Sequence, residues 1–404
     1  MNTVNHLPQG WEYKKMPEVV KWGSGGTPKA TENLYYENGT IPWLIIGDLN
    51  DGIVKTSATK ITKLGLENSS AKLIPCGTLL IAMYGSIGKL GITGFECCTN
   101  QAIAFAQKLN GVDTMYLFYY LMMIKPKLVQ MGKGGTQKNI SQTVLNSLYI
   151  PLPPLATQRA IVSRIETLFA ELDKAVQHLR TAQQQLKTYR QAVLNHWLNN
   201  DDGKWEMVKL GEVTSKIGSG STPRGGQSGY KQNGIPLIRS MNIYSEYIKY
   251  EGLAFIDDIQ AKQLDNVIVH KGDLLLNITG ASIGRVNIAP DKWENARVNQ
   301  HVCIIRLMDD YEPKFIQKYL ASPVIQHWIA NENYGETRQA LSMTMIRNLK
   351  VPQMPLAEQQ RIVKEIESRL SQATASETYI ENALQQAEAL RQSILKKAFS
   401  GELV

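Results

Sequence analysis

The chain has 404 residues, which is more than one ordinary hydrophobic core accommodates and enough for two domains with connecting elements. Its apolar content of 43% and charged content of 20% are typical of a folded protein and exclude a disordered chain. The polar amino terminus lacks the apolar segment of a signal peptide, and the longest apolar run, residues 115–124, is too short to span a bilayer. We therefore expect a cytoplasmic location.

The net charge of +8 favours an acidic partner such as nucleic acid. This charge is unevenly distributed, because residues 1–200 carry all of it and residues 201–404 have no net charge. The net values are +5 for residues 1–155, +3 for 156–200, +1 for 201–355 and −1 for 356–404.

The two halves of the chain repeat each other in order. The matched blocks are Trp11-Glu12 with Trp205-Glu206, GSGGTPK at 23–29 with GSGSTPR at 218–224, Ile41-Pro42 with Ile235-Pro236, GTLLIAMYGSIGK at 77–89 with GDLLLNITGASIGR at 272–285, Asn100-Gln101 with Asn299-Gln300, and PLPPLATQRAIVSRIE at 151–166 with PQMPLAEQQRIVKEIE at 352–367. The offset between matched blocks rises from 194 to 201 residues, so small insertions separate them. We interpret this pattern as an internal duplication with a period too long for a solenoid.

Each copy begins with a segment of about 150 residues that mixes apolar runs with turn residues. The runs TLLIAM at 78–83 and DLLLNI at 273–278 are bounded by glycine and predict buried strands. Residues 115–124 and 315–320 predict short helices, and Gly-rich and Asn-rich loops separate these elements. The sequence therefore predicts an α/β or α+β domain with irregular loops in each copy.

A proline-rich hinge, PLPPL at 151–155 and PQMPL at 352–356, ends each of these domains. The stretch that follows has apolar residues at alternating steps of four and three, which is the heptad pattern of a coiled coil. The first seam is Ile161, Ile165, Leu168, Leu172, Ala175, Leu179, Ala182, Leu186, Tyr189 and Val193. The second is Ile362, Ile366, Arg369, Ala373, Ser376, Ile380, Ala383, Ala387, Leu390 and Ile394.

Each of these stretches predicts a helix of roughly 38 residues and about 57 Å, at about 1.5 Å per residue. Neither helix is expected to be stable alone, so we expect them to pack as an antiparallel coiled coil. Two copies of one plan in a single chain would then give a pseudo-twofold molecule that imitates a C2 dimer.

The sequence lacks the motifs of a catalytic centre. GSGGTPK does not end in the Gly-Lys-Ser/Thr of a phosphate-binding loop, and LPPL at 152–155 lacks the polar and aromatic residues of the amino-methyltransferase signature. The histidines are scattered, and the cysteines have neither paired spacing nor histidine partners in ligand register. We therefore predict that the chain is not an enzyme and binds no metal or cofactor.

Small, polar and basic residues recur on the matched loops, and these are the residue types that contact phosphates and base edges. In the first half they are Ser24, Thr27, Lys29, Ser86, Lys89, Thr136, Gln137 and Lys138. In the second half they are Ser219, Thr222, Arg224, Ser282, Arg285, Thr337 and Arg338. Arg239, Asn242 and Arg297 are further candidates for DNA contacts in the second half. Two matched pairs keep a cation, Lys29 with Arg224 and Lys89 with Arg285. The alternative for any one of these residues is an ordinary solvated turn.

On these features the chain resembles the specificity subunit of a type I restriction-modification enzyme over essentially its whole length. The resemblance is carried by the tandem halves, the two proline-rich junctions, the GSGGTP and SIGK loops with their counterparts, and SILKKAFSGELV at 393–404. It implies target-recognition domains at 1–155 and 201–355, and spacer helices at 156–200 and 356–404. It also implies double-stranded DNA as ligand, two modification subunits that use S-adenosylmethionine to methylate adenine, and a motor-nuclease restriction subunit.

The halves differ in their cations, because residues 1–155 contain no arginine whereas residues 201–355 contain seven. Since bidentate arginine to guanine is the commonest specific base contact, we expect unequal readers and an asymmetric bipartite target. The helix pair would set the spacing of the two half-sites, about 34 Å for one turn of DNA. The alternative from another class is a coiled-coil scaffold that arranges protein partners without reading bases.

Overall fold

The computed structural model describes residues 7–133, 138–200, 203–223, 226–332 and 340–403, with only the backbone of residue 227. The chain divides into two units, residues 1–179 with 382–404 and residues 180–381. Because these boundaries fall inside the long helices, each long helix contributes one segment to each unit. In the part of the chain described, no helix is both long and apolar enough to cross a membrane.

The first unit combines short strands with helices of very different lengths. Its strands are β1 (Glu12–Lys15), β2 (Val20–Ser24), β3 (Ile41–Leu44), β4 (Gly52–Val54), β5 (Lys60–Ile61), β6 (Leu79–Ala82), β7 (Leu90–Thr93), β8 (Cys98–Thr99), β9 (Ile103–Leu109) and β10 (Tyr149–Leu152). Its helices are α1 (Met16–Val19), α2 (Lys63–Glu67), α3 (Thr114–Met131), α4 (Gln142–Asn146) and α5 (Leu155–Leu198), of which α5 continues into the second unit.

These strands form three sheets. A five-stranded sheet has the order β2-β9-β6-β7-β4, a three-stranded sheet has the order β5-β3-β8, and β1 pairs with β10. The central strand β6 is buried on both faces, as its continuous apolar run predicted. Leu79 and Ile81 join a core with Tyr116 of α3 and residues of both long helices, whereas Leu80 and Ala82 join a second core on the opposite face.

The second unit is built from equivalent elements. Its strands are β11 (Glu206–Lys209), β12 (Thr214–Ser219), β13 (Ile235–Ile238), β14 (Ala254–Ile256), β15 (Leu274–Asn277), β16 (Val286–Ile288), β17 (Arg297–Val298), β18 (Val302–Leu307) and β19 (Lys350–Gln353). Its helices are α6 (Asp258–Lys262), α7 (Pro313–Leu320), α8 (Pro323–Glu332), α9 (Met343–Asn348) and α10 (Leu356–Ser400), of which α10 continues into the first unit.

The sheets of the second unit repeat the plan of the first, with the orders β12-β18-β15-β16, β14-β13-β17 and β11-β19. The predicted duplication and mixed α/β content are therefore confirmed at the level of strand order. The halves differ at one sheet edge. Where the first unit adds β4, the second has a hairpin closed by a bridge between Ile243 and Ile248.

The long helices α5 and α10 have 44 and 45 residues, about 66 and 68 Å at 1.5 Å per residue, and so exceed the predicted length. Within each unit their segments pack side by side in opposite directions. Asp173 contacts Arg391 in the first unit, and Arg190 pairs with Glu377 at 2.9 Å in the second. The predicted antiparallel coiled coil is confirmed within each unit.

The predicted seam needs one correction. In the middle of α10 the buried residues recur every seven positions: Ile366, Ala373, Ile380, Ala387 and Ile394. The intervening seam positions Arg369, Ser376 and Leu390 are exposed, as is Ala175 of α5. Because only one position per heptad is buried here, the packed face is narrower than the four-and-three pattern predicted.

A buried glutamine ties the start of each long helix to the domain before it. The amide oxygen of Gln158 accepts from the backbone N–H of Asp113 at 2.8 Å, and its amide nitrogen donates to the carbonyls of Gly111 and Pro153 at 2.9 and 2.8 Å. Gln359 makes the equivalent bonds, of 2.9, 3.1 and 3.0 Å, to Glu312, Asp310 and Met354. Both glutamines are fully buried, so the matched junctions have a structural function.

Candidate nucleic-acid interface

The matched loops of the first unit meet at one edge of its five-stranded sheet. Ser24, the last residue of β2, pairs with Ala104 at the start of β9, and Ala104 pairs with Ile81 at the end of β6. Because β9 runs antiparallel to both neighbours, the loops after β2, after β6 and before β9 emerge on the same side. We call this set, residues 24–29, 84–89 and 100–101, the first loop edge.

The second unit has the same arrangement. Ser219 pairs with Cys303, and Cys303 pairs with Leu276. The loops that follow β12 and β15 and the turn before β18 therefore also meet at one end of their sheet. We call residues 219–223, 279–285 and 299–300 the second loop edge.

A side-chain hydrogen bond joins two of these loops in each unit. The Thr27 hydroxyl donates to the amide oxygen of Gln101, and the Thr222 hydroxyl donates to that of Gln300. Both glutamines are exposed. The same contact in both units shows that the Gly-rich loop and the Asn-Gln turn form one surface.

Gly25 and Gly220 allow the Gly-rich loops to lie against the neighbouring strand. A Cβ at Gly25 would lie 2.0 Å from the carbonyl oxygen of Thr99, and a Cβ at Gly220 would lie 1.8 Å from that of Val298. Real Cβ atoms do not approach a backbone oxygen this closely. The glycine at this position therefore permits a close approach of two backbones, a use of glycine distinct from a turn with positive φ.

Three loops of the second unit are linked by a chain of polar side chains. The Thr279 hydroxyl lies 2.5 Å from Nδ1 of His301, and Nε2 of His301 lies 3.1 Å from the Gln300 amide nitrogen. Gln300 in turn accepts from Thr222. This chain fixes the relative positions of side chains that present donors and acceptors at the second loop edge.

The first loop edge carries lysines. Lys29 and Lys138 are exposed, and the Lys138 carbonyl accepts from the backbone N–H of Gly85 at 3.3 Å, which places it beside the loop after β6. The Lys89 ammonium donates to the Ile46 carbonyl at 3.3 Å. The structure thus brings Ser24, Thr27, Lys29, Ser86, Lys89 and Lys138 together around one edge.

The second loop edge carries arginine at the position of Lys89. The Arg285 guanidinium lies over the Tyr244 ring, 4.4 Å from its centroid, and Ser219, Thr222 and Ser282 are partly exposed on the adjoining loops. Arg239 lies over the Tyr230 ring at 5.3 Å and donates to the Gly252 carbonyl at 2.5 Å. Arg239 is therefore partly engaged within its own unit.

The structure does not support a DNA contact for two predicted residues. Asn242 is fully buried, where its amide oxygen accepts from the Arg239 backbone at 3.1 Å and its amide nitrogen donates to the Lys249 carbonyl at 3.0 Å. Arg297 is 7% exposed and pairs with Asp265 at 2.7 Å. Because their polar atoms serve these internal contacts, neither side chain is available to a base. The predicted residues Thr136, Gln137, Arg224, Thr337 and Arg338 lie outside the described residues.

The sequence interpretation missed Gln101, Gln300, His301 and the Tyr244–Tyr247 pair as parts of this surface. The matched Asn-Gln pair was the available signal for the glutamines, because it lies immediately before β9 and β18 in both halves. No repeat marks the two tyrosines, since the first half has Asn50 and Ile53 at the corresponding positions. Partial desolvation, together with the neighbouring Tyr244, raises the pKa of the Tyr247 hydroxyl.

Comparison with known proteins identifies the class to which this fold and these paired loop edges belong. Residues 8–179 and 202–386 match the family described as type I restriction modification DNA specificity domain, and the chain belongs to this family. The resemblance stated from the sequence is thereby confirmed.

Individual members of this family differ in how similar their sequences are to this chain and in how much of it they cover. The specificity subunit of the type I restriction enzyme EcoBI of Escherichia coli is 32% identical over 293 residues, which are 66% of this chain and 61% of the relative. That of EcoKI of Escherichia coli strain K12 is 24% identical over 425 residues, covering 99% of this chain and 91% of the relative.

Two solved structures share the fold. One, from a study of assembly and conformational transition of the type I restriction-modification system, superposes with a TM-score of 0.77 at 21% identity and covers 98% of this chain and 99% of its own. The HsdS subunit of Thermoanaerobacter tengcongensis superposes with a TM-score of 0.61 at 21% identity and covers 98% of each chain.

Proposed function

We propose that this chain is the DNA-recognition subunit of a type I restriction-modification system and that each unit reads one part of a bipartite target. The observation that carries this proposal is the repeated loop edge. Both units place the Gly-rich loop, the Asn-Gln turn and the loop after the central strand at the same end of a sheet, and both tie Thr27 or Thr222 to a glutamine. Because the two loop edges have the same arrangement, both units would dock on DNA in the same way. Because their side chains differ, the two units would prefer different bases.

The side chains of the two loop edges favour unequal readers. The first presents lysines and hydroxyl groups, which suit phosphate contacts and single hydrogen bonds to base edges. The second presents Arg285 at the position that is Lys89 in the first. An asymmetric target follows from this difference, because the two units would prefer different bases.

The chemistry of modification and cleavage then belongs to partner subunits. The named relatives are specificity subunits of type I restriction enzymes, and by analogy this chain would assemble with two modification subunits and a restriction subunit. S-adenosylmethionine is expected on the modification subunits, which would methylate adenine. The role of this chain in that complex is non-catalytic, because it selects the DNA site on which the partners act.

The test compares two equivalent substitutions, Thr27→Val and Thr222→Val, in the full chain assembled with its modification subunits. Each removes one hydroxyl of the paired loop edges and keeps the side-chain shape, so each is the control for the other. Selection from a randomised duplex library should show weaker base preference, by about 5- to 30-fold, in one part of the target only, and in a different part for each variant.

The same complex should bind duplex DNA with a log–log salt slope of several units, because lysine and arginine contacts release counterions from phosphates. A flat salt response, with no base preference in the selected library, would contradict the proposed function and favour a scaffold.

A further inference from the structure

Arg285 differs from the other arginines described between residues 203 and 353. Each of the others is used by the protein itself: Arg239 donates to the Gly252 carbonyl, Arg297 pairs with Asp265, Arg306 pairs with Asp273, and Arg347 donates to the Ile217 carbonyl. Among the described residues, the Arg285 guanidinium has a ring contact and no hydrogen-bond acceptor. Within residues 7–133, 138–200, 203–223, 226–332 and 340–403, its donors are therefore directed neither to a carboxylate nor to a carbonyl.

The guanidinium of Arg285 nevertheless lies over Tyr244, one of two stacked aromatic rings. It lies 4.4 Å from the centroid of Tyr244, and the Tyr244 and Tyr247 rings stack with centroids 4.5 Å apart and planes inclined by 9°. The Tyr247 side chain is 52% exposed, so the column ends at solvent. We call Arg285, Tyr244 and Tyr247 the stacked column.

Backbone contacts fix the two tyrosines. The Tyr244 N–H donates to the Tyr247 carbonyl at 3.2 Å, and the bridge between Ile243 and Ile248 closes the hairpin on which both rings stand. The Asn287 amide donates to the Tyr244 carbonyl at 2.7 Å and ties this hairpin to β16, the strand that follows Arg285. The column is therefore anchored at its base as well as stacked.

The first unit has no such column at the corresponding place. Lys89 there donates to the Ile46 carbonyl at 3.3 Å, and β4 occupies the position of the tyrosine hairpin with Ile53 where Tyr247 lies. The column is thus a feature that distinguishes the two readers of a duplicated chain. A feature required only for the fold would be expected in both units.

We propose that Arg285 reads a guanine in the second part of the target and that Tyr244 and Tyr247 are its positioning residues. Stacking fixes the plane of a guanidinium and leaves its in-plane donors free, which is the arrangement needed for bidentate bonds to guanine O6 and N7. A flexible lysine cannot present this fork. This inference rests on the proposed function and names the base and the side chain responsible.

The direct test is Arg285→Lys in the full chain assembled with its modification subunits, with selection from a randomised duplex library. The substitution keeps the charge and removes the planar fork. We expect a loss of guanine preference of roughly 10- to 100-fold at one position of the second part of the target, with the first part and the salt slope unchanged.

The positioning role is tested by Tyr244→Leu and Tyr244→Phe in the same complex. Tyr244→Leu removes the ring beneath the guanidinium and should reduce guanine preference at the position that Arg285→Lys affects. Tyr244→Phe keeps the ring and should therefore retain the guanine preference of the original chain. Tyr247→Ala, at an exposed site, provides a variant with little effect on folding, and it should weaken the same preference to a smaller extent.

The outcomes separate this inference from the function on which it rests. If the original chain shows no base preference in the second part, the proposed function of that unit fails. If the original chain has this preference and Arg285→Lys leaves it unchanged, the inference alone is overturned. In Arg285→Ala, which removes the charge, a uniform loss of affinity across all sequences with a salt slope lower by about one would make Arg285 a phosphate contact and would also overturn it.

Discussion

The glycine residues of the GSGSTP segment show that the lack of one side chain can allow a loop to pack against a neighbouring strand. Gly218 and Gly220 are two residues apart, yet a Cβ at Gly218 would meet no atom within 4 Å whereas one at Gly220 would lie 1.8 Å from a carbonyl oxygen. The sequence indicates a loop at both positions. It cannot reveal which glycine is required, because that depends on the pairing of residues about 80 positions apart.

This contrast predicts opposite effects of the same substitution. Gly220→Ala should destabilise the second unit by about 1–3 kcal/mol, because the β17 backbone or the loop must move. Gly218→Ala should be neutral or stabilising by up to about 1 kcal/mol, since alanine restricts the unfolded chain and meets open space. Thermal unfolding of the two full-length variants checks this pair. Equal midpoints would show that the loop does not require the close approach.

Whether a polar side chain is buried or available to DNA also depends on the contacts of the individual residue. Asn242 and Arg297 looked like loop residues available to DNA, yet one caps a turn and the other pairs with Asp265 inside the unit. Composition and local pattern do not distinguish an internal arginine from an exposed one, because the partner of Arg297 is 32 residues away. The structure therefore removes Asn242 and Arg297 from the residues that could contact DNA, which the composition of the second half alone could not do.

The long helices were the elements most accessible from the sequence. A proline hinge, the lack of glycine and a heptad repeat are local signals, so the start and type of α5 and α10 follow from them directly. The strands of the recognition domains were less accessible, since β2, β6 and β9 pair across dozens of residues. Only the duplication indicated which loops of the two halves correspond to each other. It did not indicate which loops lie side by side in the structure.

The junction of each long helix with its domain predicts an element-scale effect. Gln359→Ala should destabilise the second unit by about 2–4 kcal/mol, because it leaves a buried N–H and two carbonyls without partners. Gln360→Ala, at the neighbouring exposed position, is the matched control and should change stability by less than about 0.5 kcal/mol.

Hydrogen exchange of the full chain can locate the effect of Gln359→Ala. Faster exchange at the backbone N–H of Glu312, whose partner is removed, is the expected result. Unchanged exchange at this N–H, or equal stability of the two variants, would show that the buried glutamine is not what joins α10 to the loop before α7.

At the scale of the whole molecule, the chain contains two copies of one fold, and the two copies carry different side chains at their loop edges. Apart from the edge strand β4, the strand order is the same in both units, as are the paired Thr–Gln contact and the buried glutamines, whereas the cations differ. The contacts that hold the loops are repeated in both units, whereas Lys89 of the first loop edge is replaced by Arg285 in the second. We expect such a chain to select two unlike sequences with one common mode of docking.

Mapping adenine methylation across a genome, in cells that carry this chain with its modification subunits, tests this account most directly. We predict methylation within a bipartite motif whose two parts differ in sequence, and a relaxed guanine in one part when the chain carries Arg285→Lys. Methylation at a single uninterrupted motif, or at two identical half-sites, would contradict the assignment of two unequal readers to the two units.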